Sequence, residues 1–140
     1  MTATISDIMN MDLHTLTSDN SLWDAVQLMN QRNIRHLPIV EGEQLIGLVT
    51  QRDVLLHMHQ TEQEQKSLKL SQIMKTGLRS IPENASIRSA ALTIQKHKIG
   101  CLPVVEDRKL IGIVTDSDFV AVAINLLELM ETNEPTDDGL

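Results

Sequence analysis

The sequence predicts an α+β fold made of two β-α-β-β-α units, and three observations predict it. Residues 5–55 laid over residues 70–120, at a fixed offset of 65, agree at 17 of 51 positions without a gap. Each half carries an apolar stripe of helical period followed by two short β-branched runs. The densest agreement, 11 of 20 positions between 34–53 and 99–118, ends on related motifs. These are Gly47-Leu48-Val49-Thr50-Gln51-Arg52-Asp53 and Gly112-Ile113-Val114-Thr115-Asp116-Ser117-Asp118. A repeat of this length fixes the unit of folding and implies a pseudo-two-fold axis with paired, related sites.

The elements follow in order. A short entry segment (5–9 and 70–74) leads to a brief extended piece around 14–17 and 79–82. Asp19 and Asn84, each in a polar turn, are the expected N-caps of the helix that follows. That helix places Leu22, Ala25, Val26 and Met29 on one face in the first copy. Ile87, Ala90, Ala91 and Ile94 do the same in the second. Two apolar runs come next, 37–40 with 45–49 and 102–105 with 110–114, each pair joined by four polar residues and read as a hairpin. Gly47 and Gly112 fall inside the second strand, where a missing side chain permits close approach by a backbone or a ligand. A second helix starts at Thr50 and at Thr115. In the first copy the polar stretch 59–69 is expected to extend it beyond Asp53 and then to loop to the second copy.

The expected organisation is a first repeat over 1–60, a linker over 61–69, a second repeat over 70–131 and a disordered acidic tail over 132–140. A half of about sixty residues is marginal alone, so the two should pack as one body. The net charge of −7 works against attraction to a phosphate backbone, which needs clustered Lys and Arg, and one Trp, one Phe and no Tyr offer no stacking platform. Nucleic acid is disfavoured as a partner. The N-terminus has neither a basic n-region nor an apolar h-region, and no apolar run reaches the roughly twenty residues of a membrane span. With Cys101 the sole cysteine, the expectation is a cytoplasmic protein that does not engage the membrane.

A strand running into a helix start gathers unpaired amides where an anion can bind. A Thr hydroxyl there can donate to a phosphate, and an Asp one turn later can accept from a ribose diol. Thr-x-x-Asp is equally a capping box that needs no ligand, but its recurrence in register with an upstream Leu-Pro-apolar-Val strand favours a site. With these residues on the page, the chain resembles the tandem CBS-domain pair, or Bateman module, over residues 5 to about 130. The resemblance rests on Arg35-His36-Leu37-Pro38-Ile39-Val40 with Gly47, Thr50 and Asp53, and on Gly100-Cys101-Leu102-Pro103-Val104-Val105 with Gly112, Thr115 and Asp118. It implies two repeats packed sheet to sheet, with two clefts that take adenosyl ligands (AMP, ADP, ATP or S-adenosylmethionine). It also implies a regulatory, non-catalytic role that signals to a separate effector protein.

By that resemblance Thr50 and Asp53 grip phosphate and ribose in one cleft, and Thr115 and Asp118 in the other. Thr15 and Leu16 with Arg35, His36 and Leu37, and Ser80 and Ile81 with Gly100, Cys101 and Leu102, flank the adenine. The copies differ inside the motif, Arg52 in one against Asp116 and Ser117 in the other. A guanidinium attracts polyphosphate and a carboxylate repels it, so the Thr50 cleft is expected to prefer the more phosphorylated ligand. No resident cofactor is expected, and magnesium only as the companion of bound ATP. No metal site is expected either: His57 and His59 stand two apart, a spacing whose side chains diverge on a helix.

The last helix, with Phe119, Val122, Ala123, Leu126, Leu127 and Met130 on one stripe and Val120, Ala121, Ile124 and Leu129 off it, is apolar nearly all round. In so small a chain the expected cover is a second copy, giving a homodimer. The alternative reading is a structural homodimerisation module that binds no ligand.

Overall fold

The computed structural model describes residues 3–133. Helix α1 (Leu22–Arg32) buries Leu22, Ala25 and Met29, and α4 (Ile87–His97) buries Ala90. Their caps are Ser21 and Ser86, whose side chains accept from the amides of Asp24 and Ser89. Asp19 and Asn84 do not cap, because each stands two residues short of the cap position. Both helices end on a left-handed residue, Asn33 and Lys98, each at φ 53°.

Strands β1 (His36–Glu41) and β2 (Gln44–Thr50) form the first hairpin, β3 (Cys101–Glu106) and β4 (Lys109–Thr115) the second. The polar connections are tighter than expected. Pairing continues to Glu41↔Gln44 and Glu106↔Lys109, leaving two-residue turns. Asp107 and Arg108 both have positive φ, at 50° and 69°, as a primed turn requires. The extended pieces are reduced to single parallel bridges, Leu16 to Ile39 and Ile81 to Val104.

Helix α2 is short (Gln51–Leu55), and it stops where turns containing His57 begin. The polar stretch expected to continue it instead restarts at the Thr61 cap as α3 (Glu62–Ser67). That helix packs on α1, with the Lys66 ammonium 5.1 Å from the centre of the Trp23 ring. Helix α5 (Asp116–Asn133) takes in Thr132 and Asn133, the first two residues of the expected tail; residues 134–140 of that tail lie outside the described residues.

The hairpins meet end to end and face to face. Gln44 pairs with Lys109, giving a four-stranded sheet of order β1-β2-β4-β3. Leu48, Cys101 and Ile113 form a small core between the faces, with Leu13 and Leu78 against it.

The entry segments exchange places between the repeats. The Ile5 amide donates to Ala85 O at 2.9 Å, and Ile5 is fully buried in the core of the second copy. The Leu70 amide donates to Asn20 O at 2.8 Å, and Leu70 is fully buried in the core of the first. Asn10 and Lys75 then bridge to Ile113 and Leu48, each by two backbone hydrogen bonds of 2.9 and 3.0 Å. These crossovers run tight against the strand glycines. A Cβ on Gly47 would stand 2.5 Å from Met74 Sδ and 3.2 Å from Lys75 O, and one on Gly112 2.7 Å from Met9 Sδ.

Candidate functional site

Each hairpin ends at a strand-to-helix corner held by its own Thr and Asp. Asp53 Oδ2 accepts from the Thr50 amide and hydroxyl, both at 2.9 Å, and Thr50 Oγ1 accepts from the Asp53 amide at 3.3 Å. Asp118 Oδ2 accepts from the Thr115 amide at 2.8 Å and from its hydroxyl at 3.2 Å. Both corners therefore carry capping bonds, and these fix where each Thr stands. The start of the preceding strand is tied to the same corner. The Gln51 amide donates to Arg35 O at 2.8 Å and the Asp116 amide to Gly100 O at 3.0 Å.

Two cavities open on these corners, and each is built across the repeats. A cavity of about 410 Å³ joins Thr50 and Arg52 of the first repeat to Gly100 and Cys101 of the second. One of about 330 Å³ joins Thr115, Ser117 and Asp118 of the second to Ile34, Arg35 and His36 of the first. His36 lines both. It stands so close to the second repeat that a Cβ on Gly100 would be 2.8 Å from its Nε2.

Other residues expected at the site lie elsewhere. Leu37 and Leu102 are fully buried in the two cores, so only their backbone can face a ligand. Leu16 packs on the first core and Ile81 on the second, and neither they nor Thr15 line the two cavities among the described residues. Ser80 lines neighbouring hollows together with Gly77 and Leu78. Asp53 is only 8 % exposed and is not among the residues lining the Thr50 cavity, its Oδ1 3.7 Å from the Lys75 ammonium. With only five residues, α2 aligns too few peptides for a dipole to supply much attraction at the Thr50 corner.

Charge at that corner comes from side chains, several of which sequence reasoning missed. Lys75, Arg79 and Lys98 line the Thr50 cavity beside Arg52. The signal was available: carried outside the motif, the offset of 65 maps Lys75 onto Asn10 and Lys98 onto Asn33, and both asparagines line the Thr115 cavity. The missing step was knowing that the crossover brings residue 75 to the corner at residue 50.

Burial sets the titration of the shared wall. Desolvation lowers the pKa of His36 from its ordinary 6.5, with Asp116 pulling it back and Arg35 and Lys75 adding to the lowering. The Cys101 thiol, 4 % exposed, is pushed up to about 12 by desolvation and then by Asp116, so it is a small packing group and not a nucleophile.

A tandem repeat with two cross-built clefts, each pairing a Thr-x-x-Asp corner with the opposite strand start, defines a paired ligand-cleft module. The chain belongs to the CBS domain family, whose model matches residues 5–60 and again 70–125. Solved structures agree. A Vibrio cholerae protein named for acetoin utilization, AcuB, is 43 % identical over 96 % of this chain and all of its own, with a TM-score of 0.83. The CBS domain pair of protein MJ0100, solved with 5′-methylthioadenosine and S-adenosyl-L-methionine, is 27 % identical and covers 90 % of this chain and 99 % of its own, with a TM-score of 0.81. CBSX2 in complex with AMP, a protein of Arabidopsis thaliana, is 26 % identical and covers 89 % and 98 %, with a TM-score of 0.77. Among the described residues no helix is long and apolar enough to cross a membrane.

Proposed function

We propose that this chain is a regulatory sensor whose two clefts bind adenosyl ligands and which passes their occupancy to a partner protein in the cytoplasm, without catalysing a reaction of its own. The observation that carries this reading is the pair of cavities set in register at the Thr50 and Thr115 corners. The complexes of MJ0100 and CBSX2 with adenosyl compounds support the ligand class. Because each cleft takes its corner from one repeat and its flank from the other, a bound ligand bridges the halves and can alter their mutual packing. A ligand that binds only the folded chain stabilises it by mass action, about 2.7 kcal/mol at a hundredfold excess over Kd. Thermal melting against AMP, ADP, ATP, S-adenosylmethionine and 5′-methylthioadenosine is therefore expected to raise Tm by several degrees for at least one of them. No shift with any of the five overturns the reading.

A homodimer belongs to the same proposal. Leu55 and Leu56 beyond the first corner, and Val120, Ile124 and Leu127 along α5, are each more than half exposed, which is costly for a lone chain. A monomer in light scattering at micromolar concentration removes this part. The second reading, a structural dimerisation module without ligand, is favoured by the capping bonds at both corners, and it predicts melting that is indifferent to every nucleotide.

A further inference from the structure

The two clefts are copies in backbone and opposites in charge. Arg52, Lys75, Arg79 and Lys98 line the Thr50 cavity, and no carboxylate lines it among the described residues. Under the offset of 65 their counterparts are Ser117, Asn10, His14 and Asn33, all uncharged or weakly basic. The Thr115 cavity instead presents Asp116 and Asp118 against Arg35. Because the comparison is internal to one chain, the contrast is not a general property of the backbone both clefts share.

We infer that the Thr50 cleft is a polyphosphate-selective nucleotide site whose selectivity is supplied by Lys75, Arg79 and Lys98, cations delivered by the crossover segment and by the end of α4. The proposal rests on the adenosyl-ligand reading and names the member of that class this cleft takes: a nucleoside di- or triphosphate in preference to a monophosphate. Thr50 and Arg52 belong to the first repeat, whereas three of the four cations lie beyond residue 70. Each added phosphate therefore extends the ligand's hold across both repeats. Lys75 is 58 % exposed and stands 3.7 Å from the Asp53 carboxylate, which keeps its hydrogen bonds from the Thr50 amide and hydroxyl when the ammonium turns to a phosphate. Charge-assisted hydrogen bonds to phosphate are the strong class of polar contact.

The test uses the pseudo-symmetry as its own design guide. Lys75→Asn and Lys98→Asn install the residues found at the equivalent places of the other cleft. Lys98 holds φ 53°, as Asn33 does, and asparagine suits that left-handed conformation, so this substitution does not threaten the fold. ATP and AMP are titrated by calorimetry into the full chain and into the double variant. ATP affinity is expected to fall by about a hundredfold, roughly tenfold per cation removed, and AMP affinity by less than about threefold. A circular dichroism melt of the double variant without ligand reports on its folding. An ATP:AMP affinity ratio unchanged by the substitutions overturns the charge inference and leaves the adenosyl reading standing. Failure of the unmodified chain to bind either nucleotide overturns the inference, and with S-adenosylmethionine and 5′-methylthioadenosine also silent, the reading beneath it.

Discussion

At the scale of single residues, the strand glycines decide how the sites are assembled. Gly47 lies in β2 with no positive φ to explain it, and its function is proximity. The absent Cβ leaves room for Met74 and for the Lys75 carbonyl that pairs with Leu48. Gly47→Ala forces that segment outward, at an expected cost of about 1–3 kcal/mol, as for overpacking in a filled core. Because the same segment carries Lys75 to the Thr50 corner, the variant is also expected to weaken ATP binding more than AMP binding. Denaturant melts and titration check the two halves of this expectation, and an unchanged midpoint contradicts the first. The sequence could say that something approaches closely at Gly47; it could not say whether that was a ligand or a backbone. His36 makes a similar point. It was legible as a cleft residue, but its place in the wall between two clefts depends on how the repeats are juxtaposed.

At the scale of elements, the long and periodic pieces were legible and their ends were not. The stripes of α1 and α4 and both hairpins are present, since apolar periodicity reflects which face each element buries. Caps are set by one residue's geometry, and here Ser21 outcompetes the nearby Asp19. Ser21 Oγ accepts from the Asp24 amide at 3.1 Å and Asp24 Oδ2 accepts from the Ser21 amide at 2.9 Å, a reciprocal box. Ser21→Ala is expected to cost about 1 kcal/mol, and Asp19→Ala, which loses only an exposed pairing with Lys69 at 3.5 Å, well under half of that. Equal losses in urea melts contradict the assignment. The break after α2 was likewise hidden. Nothing in Val54-Leu55-Leu56 forbids helix, and the chain turns there because Thr61 restarts a helix that packs on α1.

At the scale of the whole molecule, the sequence repeat and the folding unit are different objects. Each core is completed by the entry segment of the other repeat, Ile5 in the second and Leu70 in the first, both wholly buried. A fragment of residues 1–60 contains one full sequence repeat but lacks Leu70, whereas residues 11–78 contain every described element of the first core. Of these two pieces of similar, marginal size, 11–78 is expected to show the more cooperative thermal transition. A well-folded 1–60 fragment beside an unfolded 11–78 contradicts the exchange. The same exchange explains why the clefts are cross-built. A segment that leaves one repeat to pack in the other carries its polar residues, Asn10 and Lys75, to the opposite corner.

The sequence by itself determined the doubling, the helix and hairpin within each half, and the two Thr-x-x-Asp corners. All of these are local, spanning a few residues that are neighbours along the chain. Only the tertiary structure decided which corner faces which flank, that Leu37 and Leu102 turn into the cores, and that Lys75, Arg79 and Lys98 stand beside Thr50. Those facts depend on contacts between residues far apart in the chain, where side-chain periodicity carries no information about partners. The charge that separates one cleft from its copy was written in the sequence throughout, but it acquired a location only when the crossover brought residue 75 to residue 50.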